Sequence, residues 1–300
     1  MELFLDCLPC LLRQVLEAAR MATDDEIILE RVMDEAVQML FMHRSYDCAP
    51  KLCEAMHAIV KKRTGIEDPY AKIKDKDISE ALRLEPLIRC FASRNDDMLL
   101  QALKVSATGN VMDSALYKDL DIEACLMAEL EKPFAICDKD VFEKDIQKAK
   151  QILIIGDNAG EAVFDKVLLQ YLSAQHEVIY AVRDAAIIND ATVEDALKAG
   201  VAGYAMIVST GCTAPGAVLE ACSAEFQAIF DGADLVISKG QGNFEALSDT
   251  SRRVYFLLKA KCPKIANALD VEVDEYVFKK NSYEIKAPKG LAIGAKIPGK

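Results

Sequence analysis

Two rhythms of apolar residues divide the chain near residue 150. Through residues 1–149 apolar side chains recur every three or four positions, the spacing of one helix face. Leu8, Leu11, Leu12, Val15, Leu16 and Ala19 form such a stripe. Thr23 with Glu26 has the spacing of a capping box and predicts a helix running through Val32, Ala36, Val37 and Leu40. A third helix is expected over 50–63, stopping near Gly65. Two or three more follow before residue 110, with Asn95 as a cap and Pro86 as a kink. From residue 150 short apolar runs alternate with helical stretches. The runs are QILIIG (151–156), EVIYAV (177–182), YAMIVS (204–209), DLVISKG (234–240), VYFLLK (254–259) and KIANAL (264–269). They read as strands, and their alternation with helices implies a mostly parallel sheet covered on both faces, an α/β fold. The expected organisation is an all-helical region over 1–149, an α/β domain over 150–286 and a flexible Gly-, Pro- and Lys-rich tail over 287–300.

Composition narrows the function classes. With 52% hydrophobic residues among 300, the chain can bury a large core. A net charge of −12 argues against a nucleic-acid or anionic-membrane partner, but leaves room for a phosphorylated small molecule held by local lysines. The first residues carry Glu2 and Asp6 where a secretory signal would be basic, and no apolar run reaches membrane-spanning length. A cytoplasmic location is expected; oligomeric state is not readable from the sequence.

Ten cysteines without a secretory signal do not read as a disulfide framework. Cys90, Cys125, Cys137 and Cys222 are expected as small buried core residues. Cys7 and Cys10 form a CxxC, and with Cys48 and Cys53 they could hold zinc, but the second spacing is four residues and no turn glycine follows either pair. Reduced thiols are the expectation.

Candidate chemistry clusters at the carboxyl ends of the expected strands. After QILII come Gly156, Asp157 and Asn158, oxygen donors at a strand-to-helix junction, where open α/β sheets bind ligands. They suit Mg²⁺ or Mn²⁺, or they simply cap the next helix. Asp190 follows the second run and reads as a third oxygen ligand or as a cap near Thr192. Residues 210–216 (TGCTAPG) and 239–245 (KGQGNFE) form glycine-bearing loops able to present N–H groups to anions. Lys239, Lys259 and Lys261 lie at or beyond strand ends, and Gly109, Asn110 and Asp113 follow a helix end.

Taken in order, CLPCLLRQ, DPYAKIK (68–74), ATGNVMD (107–113), IGDNAGE (155–161), IND (188–190), ISKGQGNFE (237–245) and LLKAKC (257–262) resemble the DUF89 family, in its archaeal and bacterial branch bearing an N-terminal CxxC. The resemblance runs from Cys7 to about Val277. It implies a helical region followed by a three-layer α/β/α sandwich, and a metal-dependent damage-control phosphatase acting on small phosphorylated metabolites. It also implies Asp157, Asn158 and Asp190 as metal ligands, with Asn110, Asp113 and the Lys239–Asn243 segment lining the phosphate site. Residues 181–187 lack the aromatic-rich segment of the eukaryotic branch, so that branch's substrate preferences do not transfer.

The expected reaction is hydrolysis of phosphomonoesters such as sugar phosphates. A divalent ion (Mn²⁺, Mg²⁺, Co²⁺ or Ni²⁺) on Asp157, Asn158 and Asp190 would draw off phosphate charge. Lys259 is expected as the main transition-state cation, with Lys239 assisting and Lys261, Gly240, Gly242 and Asn243 binding substrate. The nucleophile is a water activated by the ion, or Asp157 itself. Two other readings stay open: an S-adenosylmethionine-dependent methyltransferase, though GDNAGE lacks the glycine run a nucleotide needs, and a non-catalytic metal or ligand binder.

Overall fold

The N-terminal apolar stripe folds as three helices, α1 (Cys7–Ala22), α2 (Glu26–Leu40) and α3 (Ala49–Thr64), in a computed structural model that describes residues 1–109 and 122–281. Leu11, Val15 and Ala19 of α1 meet Val32 and Ala36 of α2 and Leu52, Met56 and Val60 of α3 in a core of their own. The cap of α2 differs from the expectation. Asp25 accepts the Ile27 N–H at 2.9 Å, while the Thr23 hydroxyl oxygen accepts only the Asp25 N–H at 3.1 Å. A carboxylate directly before the first turn also meets the positive end of the helix dipole, an advantage Thr23 lacks. α3 stops at Gly65, whose φ of +71° is the left-handed C-terminal turn that glycine adopts without strain. α4 (Ala71–Ala92) continues through Pro86, and α5 (Met98–Thr108) starts at Asp97 rather than at Asn95. α6 (Ile122–Glu131) completes the helical half.

Seven strands form one sheet in the order β1 (Phe134–Cys137), β7 (Tyr276–Lys280), β6 (Val254–Lys259), β5 (Leu235–Lys239), β2 (Gln151–Ile155), β3 (Glu177–Val182) and β4 (Met206–Ser209). Neighbours pair in parallel except β6 and β7. Two strands lie outside the sequence pattern. β1 falls inside the stretch expected to be all-helical, because four residues with alternating exposure give no buried run to recognise. β7 hides in a run ending in two lysines. The segment 264–269 is not a strand. It is α12 (Pro263–Leu269), where Pro263 occupies the favoured first helical turn and Ile265, Ala266 and Leu269 are buried one turn apart.

Helices cover both faces of the sheet. Ile152 and Ile154 of β2 pack beneath α4, α5, α8 (Glu161–Ser173) and α9 (Val193–Ala199), alongside Leu103, Phe164 and Leu168. Leu153 and Ile155 face the other way, toward Phe226, Phe230, Phe244 and Ile265 on α10 (Ala224–Gly232), α11 (Gln241–Leu247) and α12. This alternation makes QILII continuously apolar: both pleat faces are core, each full burial worth roughly 1.5–3 kcal/mol. α7 (Lys139–Ile146) fills the β1 end with Phe142 against Tyr255 and Phe278. Of the cysteines expected in the core, Cys222 is buried, whereas Cys90 and Cys137 are exposed and Cys125 half-buried. Cys137 lies on the open side of edge strand β1.

The chain runs from β2 to β3 and β4 on one side, then crosses back to place β5 on the other side of β2. The crevice outside the carboxyl ends of β2 and β5 is thus the topological switch point of the sheet, the usual ligand position in this architecture.

Candidate active site

Gly156 follows β2, and its neighbour leaves no room for a side chain: a Cβ there would lie 2.6 Å from the Tyr180 hydroxyl. Asp157 and Asn158 follow at the switch point, both buried. The loop after β3 is stitched to them. The Ala191 N–H donates to the Asp157 carbonyl at 2.8 Å, and the Ala159 N–H donates to the Asn189 carbonyl at 2.9 Å. Asn158 and Asp190 thereby face each other as an antiparallel bridge. Asp190 does not cap α9, since Thr192 and Asp195 form that helix's capping box. The turn that delivers Asp190 is strained: Ile188, a β-branched residue, has φ +39°. Such strain costs on the order of 1–3 kcal/mol and persists only where its surroundings impose it. Here Lys61 donates to the Ala186 carbonyl at 2.7 Å, and the Asp190 N–H donates to the Ile187 carbonyl at 3.1 Å.

Arg183, one residue beyond the apolar run of β3, orients Asp190. Its Nε donates to Asp190 Oδ2 at 2.7 Å, and its Nη2 donates to Asn243 Oδ1 at 3.0 Å. The guanidinium is buried, and its Nη1 has no protein partner among the described residues. Asn243, expected to bind substrate, is instead consumed by the scaffold. Its Nδ2 donates to the carbonyls of Gly156 (3.0 Å) and Lys239 (2.6 Å), and its Oδ1 also accepts the Ala217 N–H at 2.8 Å. One fully buried amide therefore ties β2, β5 and the 210–218 loop together. Gly242 belongs to the same joint: a Cβ there would run into the Pro215 carbonyl oxygen, so the loops can meet only at a glycine. The Gly240 N–H donates to the Leu257 carbonyl at 3.1 Å, so it is not available to an anion. Gly240 matters for another reason. With φ +79° it lies directly under the Asp157 carboxylate, which a Cβ would displace.

The lysines divide differently from the expectation. Lys239 is fully buried and points into the helical layer, where it pairs with Glu161 and with Asp165 at 2.6 Å and donates to the Ser106 carbonyl at 3.0 Å. Tyr180 donates to the other Asp165 oxygen at 2.7 Å. Burial opposes the Lys239 charge, but Asp165 and Glu161 outweigh it and hold its pKa above the ordinary value. It is a structural counter-ion, not a substrate-facing cation. Lys259 is also engaged elsewhere, 3.1 Å from Glu129, 3.5 Å from Asp274 and over the Tyr276 ring. Lys261 is exposed and is the leading positive influence on Asp157, ahead of Arg183 and Lys239. Its backbone N–H is held by Gln241 Oε1 at 3.2 Å. Asn110 and Asp113 lie outside the described residues; Gly109, just before them, packs against Glu161.

The balance of charge is the site's main electrostatic property. Four carboxylates, on Asp157, Asp190, Glu161 and Asp165, share two buried cations, Arg183 and Lys239. Burial raises Asp157, and lifts Asp190 to about 7 and Glu161 to about 8 despite the neighbouring positive charges. Among the described residues no three His, Cys, Asp or Glu side chains form a metal-sized cluster, so an ion would find two carboxylates, an amide and water. Mg²⁺-like ions are commonly bound that way, by one or two carboxylates with retained waters. The donor set fits, and the surplus negative charge calls for such a cation. Sequence reasoning missed Arg183, although a charged residue directly after a buried strand was the available signal.

Comparison with known proteins agrees with this architecture. The damage-control phosphatase ARMT1-like domain matches residues 3–277. A damage-control phosphatase of Pyrococcus horikoshii is 33% identical, covering 95% of this chain and all of that protein. One from Archaeoglobus fulgidus is 32% identical over 91% of this chain and 97% of its own length. The crystal structure of a DUF89 family protein from P. horikoshii superposes with a TM-score of 0.86 at 33% identity, covering 94% of this chain and 99% of that one. The chain belongs to the ARMT1-like damage-control phosphatase family, DUF89, and the phosphatase-type role of its relatives is the frame for its site.

Proposed function

We propose that the protein is a metal-dependent phosphatase that hydrolyses small phosphomonoesters, sugar phosphates among them, with Asp157, Asn158 and Asp190 as the ion-binding set. The observation that carries this reading is the convergence of three buried oxygen donors, Asp157, Asn158 and Asp190, at the switch point of the sheet. A divalent ion held there supplies charge neutralisation for the phosphate dianion and polarises its P–O bonds. The protein's own groups do the rest. Arg183 keeps Asp190 oriented through the Nε bond and offsets part of the burial that raises its pKa. Gly240 lets the Asp157 carboxylate settle against the end of β5. Lys261, exposed and close enough to act on Asp157, is the cation for the phosphoryl oxygens, the role expected of Lys259. Water is the attacking group, because the Asp157 carboxylate belongs to the ion-binding set.

A phosphate-release screen over phosphorylated metabolites, crossed with Mg²⁺, Mn²⁺, Co²⁺ and Ni²⁺, tests the proposal. Metal-dependent release that Asp157→Ala abolishes, while the variant keeps its circular dichroism spectrum, is the expected result. Asn158→Ala should be milder, since a neutral amide contributes less than a carboxylate to a divalent site. Release that is indifferent to chelator, or methyl transfer from S-adenosylmethionine in its place, would overturn the assignment.

A further inference from the structure

The connection from β3 to α9 carries Asp190, and two lysines of the helical half hold it on either side of that residue. Residues 187–190 make a tight turn, closed by the Asp190 N–H donating to the Ile187 carbonyl at 3.1 Å. The first central residue of the turn is Ile188, with φ +39°. Glycine is favoured at such a position, and a β-branched side chain is strained there. Upstream, Lys61 of α3 donates to the Ala186 carbonyl at 2.7 Å. Downstream, Lys74 of α4 is buried between Asp68 at 2.8 Å and Asp195 at 2.7 Å. Asp195 Oδ2 in turn accepts the Thr192 N–H at 3.0 Å and the Thr192 hydroxyl at 2.7 Å. The lysines lie 125 and 121 residues from these partners in the sequence.

Packing between the two halves is incomplete here. A cavity of about 10 Å³, the room of a single water, lies between His57, Asp68 and Tyr70 on one side and Ile187 and Ile188 on the other. Side chains therefore do not wedge Ile188 into its positive φ from this direction. Lys61 borders the same cavity and crosses it with a direct bond.

We propose that Lys61 is a positioning residue: its bond to Ala186 holds the 187–190 turn in the strained form that sets Asp190 opposite Asn158. Without that donor Ile188 relaxes toward negative φ. The chain carrying Asp190 then turns away from the Ala191 N–H bond to the Asp157 carbonyl. Lys61 is a cleaner probe of the turn than Lys74. Removing Lys74 would leave Asp68 and Asp195 without their shared cation, and a folding defect would hide any local effect. Lys61 is half-buried and bonds a neutral carbonyl, so methionine replaces its stem and removes the donor alone. That Asp190 is an ion ligand rests on the phosphatase reading; the hold on the turn does not.

Two measurements on the full chain separate these points: hydrogen-exchange mass spectrometry over residues 186–192 in metal-free protein, and Mn²⁺ binding by calorimetry. Lys61→Met should speed exchange in that segment and weaken Mn²⁺ binding, each by about tenfold or more, the scale of one hydrogen bond from a charged donor. Lys61→Arg, which keeps a donor, should recover part of both effects. Lys62→Met, at the exposed neighbouring position of α3, should produce neither. Ile188→Gly is the decisive background. Glycine adopts positive φ without strain, so there the same Lys61→Met change should cost less than about threefold in either readout. An equal cost in both backgrounds would make Lys61 a general packing residue and overturn the proposal, as would unchanged exchange in Lys61→Met. A parent protein that binds no Mn²⁺ would sink the metal reading of the site, and the exchange comparison would still decide whether Lys61 holds the turn. Faster exchange in Lys61→Met with unaltered Mn²⁺ affinity, in a protein whose binding Asp157→Ala abolishes, would separate the turn from the ion site and overturn the positioning role.

Discussion

A glycine and an amide define the candidate site at the residue scale. Gly240 has φ +79° and no space above its Cα, because the Asp157 carboxylate fills it. Gly240→Ala should therefore remove metal-dependent activity and metal binding measured by calorimetry. Gly232→Ala is its control. Nothing lies within 4 Å of where that Cβ would go, so stability should hold or rise by about 0.4–1 kcal/mol. Asn243 makes the complementary case. Its buried amide satisfies the Gly156 and Lys239 carbonyls, the Ala217 N–H and the Arg183 guanidinium. Truncation strands several buried polar groups at about 1–3 kcal/mol each, so Asn243→Ala should lower the urea midpoint strongly, even with substrate present. A change confined to KM, with an unaltered urea midpoint, would return Asn243 to the substrate-binding role its sequence position suggested.

At the scale of elements, the two lysines at the end of β6 share a sequence neighbourhood but have different partners. Lys259 is the last strand residue, and its partners Glu129, Asp274 and Tyr276 belong to the β7 side of the sheet. Lys261 lies two residues on, in the connection to α12, and acts on Asp157. Lys261→Met should depress kcat/KM by ~100-fold, the scale of losing one preorganised charge-stabilising group. Lys259→Met should change it only a few-fold while shifting Tm slightly. Steady-state kinetics on both variants decides between them, and the reverse ranking would restore Lys259. The sequence could place both lysines near a strand end because VYFLL is visibly a buried run. It could not show which one meets Glu129, since that carboxylate comes from α6, more than a hundred residues earlier. The same division holds elsewhere. QILII, EVIYAV and DLVIS are legible because both pleat faces are core; Asp157 and Asn158 follow the end of the first almost at once, and Asp190 lies in the loop after the second. Strand β1, with one open face, and the Asn243 joint, made by loops distant in sequence, carry no local signature.

For the whole molecule, the buried carboxylates make stability depend on pH in an unusual sense. Burial raises Asp190 to about 7, Glu161 to about 8 and Glu245 to about 7. Each would titrate near 4 in the unfolded chain. Between those values the folded state binds more protons than the unfolded one, so their contribution is complete below about pH 4 and is lost as pH rises through 7 to 8. His57 works in the opposite direction: burial lowers it to about 4, so its contribution is lost as pH falls below about 6.5. Three carboxylates outweigh one imidazole. Chelator-treated protein should therefore lose Tm steadily from pH 5.5 to pH 8. A divalent ion reverses the trend, because it supplies the missing positive charge only when Asp157 and Asp190 are ionised. Binding at a hundredfold excess over Kd adds about 2.7 kcal/mol, enough to raise Tm by several degrees at pH 8. Protonation removes most of that gain at pH 5.5. Differential scanning calorimetry with EDTA and with Mn²⁺ at both pH values reads this directly. An equal metal-induced shift at both would mean that the ion is held away from these carboxylates, and the site at the switch point would lose its metal.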